Sequence, residues 1–380
     1  MCVADKYLQT DLPTEANIGV INVVKSYKVA VMPGDGVGPE VTREAVKVLK
    51  ATGLTLEFLN CNVGGKAYIE TGVPLPPEAK EHCEEADAVL FGAVGHDYAP
   101  YGIPRKVLIY LRIEKNAYAN VRPLKLYPGI RAPGGCDWGK IDVVIVRDNA
   151  EGFALEHEGY LWDNKGVDKR VITQFGAQRI AMFAFSHAVK NHRKRVTCID
   201  QSHWLHSDKL FRQAFEGVAR NYPHIEKEYL HVDVAAMMLA RDPERFDVIV
   251  TPDIYGDILS GILIGQTGGV GLAPSACIGE DFAFFEPVHG TAWDLAGKGT
   301  ANPIASILSG KLLLDWIGRH EEARLVEAAV SAVLLEGKVR TLDLGGSSGT
   351  EEMGDAIAKY VSDGPPQEIL DAQRQSLPHL

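Results

Sequence analysis

Three arginines frame the most suggestive chemistry in this chain. Arg112 and Arg122 fall in "LRIEKNAYANVRP", and Arg147 ends the apolar run of "KIDVVIVRDNAEG". A guanidinium beside apolar strand residues needs an anionic partner, because burying it unpaired is costly. Its planar fork suits a carboxylate held by two parallel hydrogen bonds. A structural ion pair would account for any one of them; three together point to a di- or tricarboxylate ligand. Asp233 in "HVDVAAMM" and Asp257 in "DIYGDILSG" are carboxylates at element ends. Such groups can hold Mg²⁺ or Mn²⁺ through oxygen, and they can equally cap helices. Gly261 stands one helical turn after Asp257, so that face carries a single carboxylate.

The segment "FFEPVHGTAWDLAGKGTANP" (284–303) sets Glu286, His289, Asp294 and Asn302 around the small residues Gly290, Thr291 and Ala292. Small residues let a backbone approach a ligand closely. An Asp there can accept from both hydroxyls of an adenosine ribose and repel a 2′-phosphate, which favours NAD over NADP. "PGDGVGPE" (33–40) has glycines at 34, 36 and 38, so it is not the G-x-G-x-x-G dinucleotide fingerprint. A ligand turn and a plain turn both stay open for it. "TCIDQSHWLHSDKLFRQAF" (197–215) reads as a strand running into an amphipathic helix. The turn between them holds Asp200, Gln201, Ser202, His203 and Trp204, with His206 close by. It could house a base or a metal, or be a decorated loop.

The elements that must position these groups follow from periodicity. "KVAVMPGDGVGPEVTREAVKVLKATG" predicts a strand, a Gly-rich turn, and a helix with apolar residues at 41, 45, 46, 48 and 49. "LTLEFLNCNVG", "DAVLFGAVG", "KIDVVIVRDNAEG", "RVTCID" and "FDVIVTPDIYGD" predict further strands. "PPEAKEHCEEA", "VITQFGAQRIAMFAFSHAVKN", "ANPIASILSGKLLLDWIG" and "EEARLVEAAVSAVLLEG" predict helices. Strands alternating with helices through short turns imply a largely parallel sheet covered on both faces. In such sheets ligands bind beyond the carboxyl ends of strands, where Asp35, Arg147, Asp200 and Asp257 are expected.

The 380 residues suggest two domains. A net charge of −11 argues against a general nucleic-acid or anionic-membrane binder. Six cysteines are scattered without CxxC spacing, as in a reduced, cytoplasmic protein. The first residues lack an apolar run or an Arg-rich bias and are expected to be a short extension before the first strand.

Taken in order, "MPGDGVGPEV", "GGKAYIETGVPLP", "AYANVRP", "VVIVRDNAEG", "DVAAMML", "FDVIVTPDIYGDILS", "EPVHGTAWDLAGKGTANP" and "DLGGSSGTEEMGDAI" resemble the β-decarboxylating dehydrogenases: isopropylmalate, isocitrate, homoisocitrate and tartrate/malate dehydrogenases. The resemblance implies an isopropylmalate dehydrogenase-like α/β fold, two α/β domains around a large mixed, mostly parallel sheet. Residues 1–125 plus 275–380 would form the cofactor-binding domain. Residues 126–274 would form the second, carrying the dimer interface and the metal-side residues. The implied reaction is NAD-dependent oxidation at the CH–OH of a malate-like 2-hydroxy acid, followed in the family by loss of CO₂. Arg112, Arg122 and Arg147 match the family's carboxylate-binding arginines. Asp233 and Asp257 match two of its catalytic, metal-binding aspartates. Glu286, His289, Gly290, Thr291, Ala292, Asp294 and Asn302 fall in its cofactor loop. The implied assembly is a homodimer with shared active sites.

The departures are as informative. Gln201 stands where the family carries a lysine that assists deprotonation of the substrate hydroxyl in the neighbouring subunit's site, and Gln is no base near neutral pH. Phe153-Ala154 stand where a proton-donating Tyr is expected. Gly261 replaces a metal-side Asp, which predicts a weakened Mg²⁺ or Mn²⁺ site. His203, His206 or water could replace the base. Arg105 and Lys106 precede Arg112 where isopropylmalate enzymes carry an acidic-then-apolar pattern. Arg105 is either a surface residue or the partner of an extra anionic group on the substrate. Two functions follow: a divergent dehydrogenase, or a catalytically degenerate, regulatory subunit of a heteromeric enzyme.

Overall fold

The computed structural model describes residues 26–95, 99–100, 102–153 and 159–375. Its strands are β1 (Tyr27–Gly34), β2 (Leu56–Asn60), β3 (Ala88–Ala93), β4 (Ala119–Lys125), β5 (Asp142–Asp148), β6 (Tyr160–Trp162), β7 (Lys165–Val167), β8 (Arg195–Asp200), β9 (Glu226–His231), β10 (Val248–Thr251), β11 (Pro274–Ile278) and β12 (Ala283–Pro287). Ten of them form one sheet in the order β2-β1-β3-β12-β11-β4-β5-β10-β8-β9, and β6 pairs with β7 alone. The outer pairs are parallel, whereas β12–β11, β11–β4 and β4–β5 run antiparallel through the middle. The sheet is thus mixed and mostly parallel, as expected.

The helices are α1 (Gly38–Ala51), α2 (Gly65–Thr71), α3 (Pro77–Glu85), α4 (Arg105–Ile109), α5 (Gln174–Lys190), α6 (His206–Ala219), α7 (Val232–Arg241), α8 (Asp253–Gln266), α9 (Ile304–Trp316), α10 (His320–Glu336), α11 (Thr350–Asp363) and α12 (Gln367–Gln375). Alternating strand residues feed opposite faces. On β1, Val29 and Val31 join the large cluster that includes α1, α9 and α10, while Ala30 and Met32 join a smaller one beside α3. A third cluster packs α7 and α8 on the face of β5 that carries Val143 and Ile145.

One expectation needs correcting. "FDVIVTPDIYGD" does not stay a strand to its end: β10 stops at Thr251 and α8 starts at Asp253. Pro252 cannot donate to a ladder, and Asp253 suits the positive end of a helix. Asp257 therefore lies on a helix, not at a strand terminus. The N-terminal extension and Ala154 lie outside the described residues. Among the described residues no helix is long and apolar enough to cross a membrane.

Away from the arginines, a second buried charge cluster ties α9 and α10 to β4. Glu327 accepts from Lys125 at 3.0 Å and pairs with Lys311 at 3.3 Å, and Lys311 also reaches Asp315 at 3.0 Å. Burial alone would push the Glu327 carboxyl up, but the two lysines pull it down to about 2. The folded value lies below the ordinary one of 4.5, so this stabilisation is complete above pH 4.5 and is lost as the pH falls toward 2. Glu327→Gln is expected to cost about 3 kcal/mol of unfolding free energy at pH 7, because it leaves two buried ammonium groups short of a counter-charge. Urea denaturation checks it, and the gap from wild type should shrink as the pH is lowered through that window.

Candidate active site: an arginine cluster beside a loop cavity

The antiparallel pairing of β4 with β5 places Asn120 opposite Arg147 and Arg122 opposite Ile145. All four side chains therefore share one face, the face that α8 covers. On α8, Asp253 and Asp257 are one turn apart and point at the same neighbours. Arg147 donates from Nε to Asp253 Oδ1 at 3.0 Å and from Nη1 to Asp257 Oδ1 at 2.8 Å. Arg122 donates from Nη1 to the same Asp257 oxygen at 3.0 Å, to Ser260 Oγ, and from Nε to Asn120 Oδ1 at 2.8 Å. A Cβ on Gly256 would stand 2.7 Å from Arg147 Cγ, so only glycine lets this helix come so close.

Arg112 follows α4 in a short π-helical turn (Tyr110–Glu114) and reaches Glu286 Oε1 of β12 at 3.1 Å. The structure thus brings together the three arginines named from sequence. Burial and the neighbouring Arg147 push the Arg122 guanidinium down to about 10, against the pull of Asp257. Burial would raise the Asp257 carboxyl, but Arg147 and Arg122 outweigh it and hold the group below its ordinary value. Burial similarly lowers Arg112, and Glu286 more than restores it.

A cavity of about 140 Å³ opens beside these groups, lined by Arg105, Arg112, Arg147, Asn149, Phe153 and Asp253 together with Leu108, Ile109 and Ile113. Two of its lining side chains carry buried polar atoms without a hydrogen-bond partner: Arg112 Nε, a donor, and Asn149 Oδ1, an acceptor. Such atoms are rare in native interiors, and inside a cavity either water or a ligand completes the pairing. Phe153, which occupies part of the expected Tyr region, lines this cavity and cannot donate a proton.

A second cavity, of about 260 Å³, lies under the 284–303 loop and is lined by Val37, His289, Ala292, Asn302, Leu342 and Asp343 among others. The loop is fastened at several points. Val37 N donates to Thr291 O at 2.8 Å, and a Cβ on Gly36 would clash with that oxygen at 1.9 Å. Ala292 adopts φ +41°, a left-handed conformation uncommon outside glycine. Trp293 Nε1 donates to Gly95 O at 3.0 Å, and Gly95 N in turn donates to Asp35 Oδ2 at 2.9 Å. Asn302 Nδ2 donates to Asp343 Oδ2 at 3.0 Å. His289 Nε2 is buried and without a partner, and burial depresses this imidazole.

The remaining sequence candidates are dispersed. Glu286 faces Arg112 and does not line the loop cavity. Gly290 and Asp294 are exposed on the loop. Asp233 is exposed in the first turn of α7. Gln201 and His203 sit at the end of β8, and neither lines the arginine cavity of its own chain. The Gln201 amide N–H is held by Asp208 Oδ2 at 2.8 Å, and its side-chain oxygen is buried without a partner. Two residues escaped the sequence reading. Asp253 was hidden inside a supposed strand, and Asp343 lies in "DLGGSSGT", which offered no chemical signal beyond its place in the motif series.

Comparison with known proteins decides the family. The family model described as isocitrate/isopropylmalate dehydrogenase matches residues 28–357. The chain belongs to the isocitrate/isopropylmalate dehydrogenase family. A 3-isopropylmalate dehydrogenase of Methanothermobacter thermautotrophicus is 42% identical over 90% of this chain and 100% of its own length. A homoisocitrate dehydrogenase of Methanocaldococcus jannaschii is 43% identical over 88% and 97%. Among solved structures, isocitrate dehydrogenase from Methylococcus capsulatus has a TM-score of 0.83 at 36% identity, covering 88% of this chain and 99% of that one. The β-decarboxylating dehydrogenase of Thermococcus kodakarensis has a TM-score of 0.76 at 38% identity, covering 89% and 96%.

Asn120 orients Arg122 while its amide nitrogen donates to Ser275 Oγ at 2.8 Å and Cys277 Sγ at 3.0 Å. Asn120→Ala leaves the buried Arg122 Nε without its acceptor and is expected to cost about 1–3 kcal/mol of unfolding free energy. Urea denaturation checks it.

Proposed function

We propose that the chain is an NAD-dependent dehydrogenase acting on the CH–OH of a malate-like 2-hydroxy acid. The observation that carries this reading is the arginine cavity, with its unpaired donor on Arg112 and unpaired acceptor on Asn149. A hydroxy acid supplies carboxylate acceptors and a hydroxyl donor in one small molecule. Arg112, Arg122 and Arg147 take its carboxylates, displacing part of their pairing with Glu286, Asp253 and Asp257. The loop cavity beside Asn302, His289 and Asp343 takes the dinucleotide, and exposed Asp294 reads the ribose hydroxyls. The seam between the cofactor half of the sheet and the second half falls between β4 and β5.

Mg²⁺ or Mn²⁺ chemistry fits the donors around Asp257 poorly. Asp257 is committed to two guanidiniums, the Gly261 position adds no ligand, and no group of three or more His, Cys, Asp or Glu gathers among the described residues. Mg²⁺ or Mn²⁺ would have to draw on Asp233 of a second chain. Exposed Trp204, Met237, Ile254 and Ile258 on and near α7 and α8, with Leu161 and Trp162 of the β6–β7 hairpin, support a homodimer.

The lining also speaks to the substrate. Leu108, Ile109, Ile113 and Phe153 suit methylene groups, and Arg105 in the same cavity suits a terminal anion. Relatives named for 3-isopropylmalate and for homoisocitrate are equally similar, so the choice rests on the lining, where Arg105 favours the tricarboxylate. NADH formation is expected from NAD⁺ with a tricarboxylic 2-hydroxy acid. Arg105→Ala should raise its KM on the order of tenfold or more, a loss of at least about 1.4 kcal/mol, while sparing a 3-alkylmalate. No NAD⁺ reduction across malates, tartrate and tricarboxylates, with and without Mg²⁺ or Mn²⁺, would overturn the enzyme. The replacements at Gln201 and Gly261 favour the second reading, a subunit that binds without turnover; turnover by a pure homodimer excludes it. Ile258→Glu is expected to give a monomer by light scattering.

A further inference from the structure

His203 and His231 face each other at the open end of the sheet, outside the arginine cluster. Their Nδ1 atoms are 3.2 Å apart, with ring centroids at 4.1 Å and planes inclined by 60°. His231 ends β9, directly beside Asp200 in the parallel β8–β9 register, and His203 lies in the turn that leaves β8. Although His231 precedes α7 at the capping position, its side chain makes no capping bond. Both imidazoles reach solvent. Behind them Asp200 is fully buried and fixed by Arg212 at 2.8 and 2.9 Å, with one oxygen 4.0 Å from His231 Nδ1.

We propose that His203 and His231 form a site for a borderline transition-metal ion, of the Zn²⁺, Cu²⁺, Ni²⁺ or Co²⁺ class. A metal about 2.0–2.1 Å from each nitrogen subtends roughly 100° across a 3.2 Å edge, close to the tetrahedral angle; both lone pairs meet at it once the rings, now 4.1 Å apart at their centroids, turn outward to about 5 Å. Imidazole ligands favour these ions over Mg²⁺, Mn²⁺ and Ca²⁺, so the site is chemically distinct from any carboxylate site at Asp257. Only two ligands are contributed, so the other positions go to water and the ion exchanges. Asp200, already paired with Arg212, backs His231 without entering the coordination shell. Bound metal joins the turn that carries Gln201 to the start of α7, which carries Asp233, and stabilises the fold by mass action. The same 3.2 Å contact could otherwise be a hydrogen bond between imidazoles in opposite tautomers, and the test separates the two.

The untagged full chain is titrated with one equivalent of Cu²⁺ and read by electron paramagnetic resonance, alongside Zn²⁺ calorimetry. The expected result is one ion per chain with coupling to two imidazole nitrogens. Zn²⁺ should compete, and millimolar Mg²⁺ should not. His203→Gln and His231→Gln should each weaken Zn²⁺ binding on the order of a hundredfold, with unchanged circular dichroism, and His206→Gln should leave it intact. Binding no tighter than millimolar, or an equal signal in both pair variants, overturns the site.

Discussion

One carboxylate oxygen holds the centre of this molecule together. Asp257 Oδ1 accepts from Arg122 and Arg147 at once, and both guanidiniums are buried, at 5% and 7% exposure. Two cations so close repel each other and lose their hydration. They are tolerable inside a protein only because a shared anion lies between them. That requirement fixes much else. α8 must approach β4 and β5 closely, which Gly256 permits, and it must start after Pro252 so that Asp253 and Asp257 fall on one face. The same arrangement leaves the arginines strongly attractive to anions, while their own acids compete for them. An anion drawing on Arg122 or Arg147 would therefore have to exchange with Asp257 or Asp253.

One strand borders both cavities. Glu286 pairs with Arg112 on one side, and its strand β12 leads straight into the loop over the other cavity. Cys277 sits between Asn120, Asn149 and Glu286, and burial pushes its thiol up to about 12, so it packs as a neutral donor and acceptor. Midway along the loop, Trp293, Gly95 and Asp35 form a continuous hydrogen-bonded chain that anchors the backbone to the ends of β1 and β3.

Much of this was readable from sequence, because the signals were local. Apolar runs ending in glycine or polar turns gave β1, β3, β5 and β8. The arginines were conspicuous as charges beside those runs. What stayed hidden was non-local. Asp253 becomes meaningful only once Pro252 ends β10 and turns the chain into a helix. β9 begins with Glu226, Lys227 and Glu228 because it is an edge strand, so its pattern does not look like a buried run. β11 and β12 are five residues each and find partners far back in the chain. Glu286 looked like part of the loop, but period-2 alternation and its ion pair turn it to the arginines.

The antiparallel middle of the sheet has a consequence for how the chain comes to be made. β3 and β4 are synthesised early, yet the partners that close the gap between them, β12 and β11, come only after residue 273. Without β11 and β12, the apolar β3 and the polar-studded β4, which carries Asn120, Arg122 and Lys125, each lack one neighbour in the sheet. Open edges of this kind invite pairing with other chains. Two five-residue strands from late in the sequence are thus what close the sheet between its two halves.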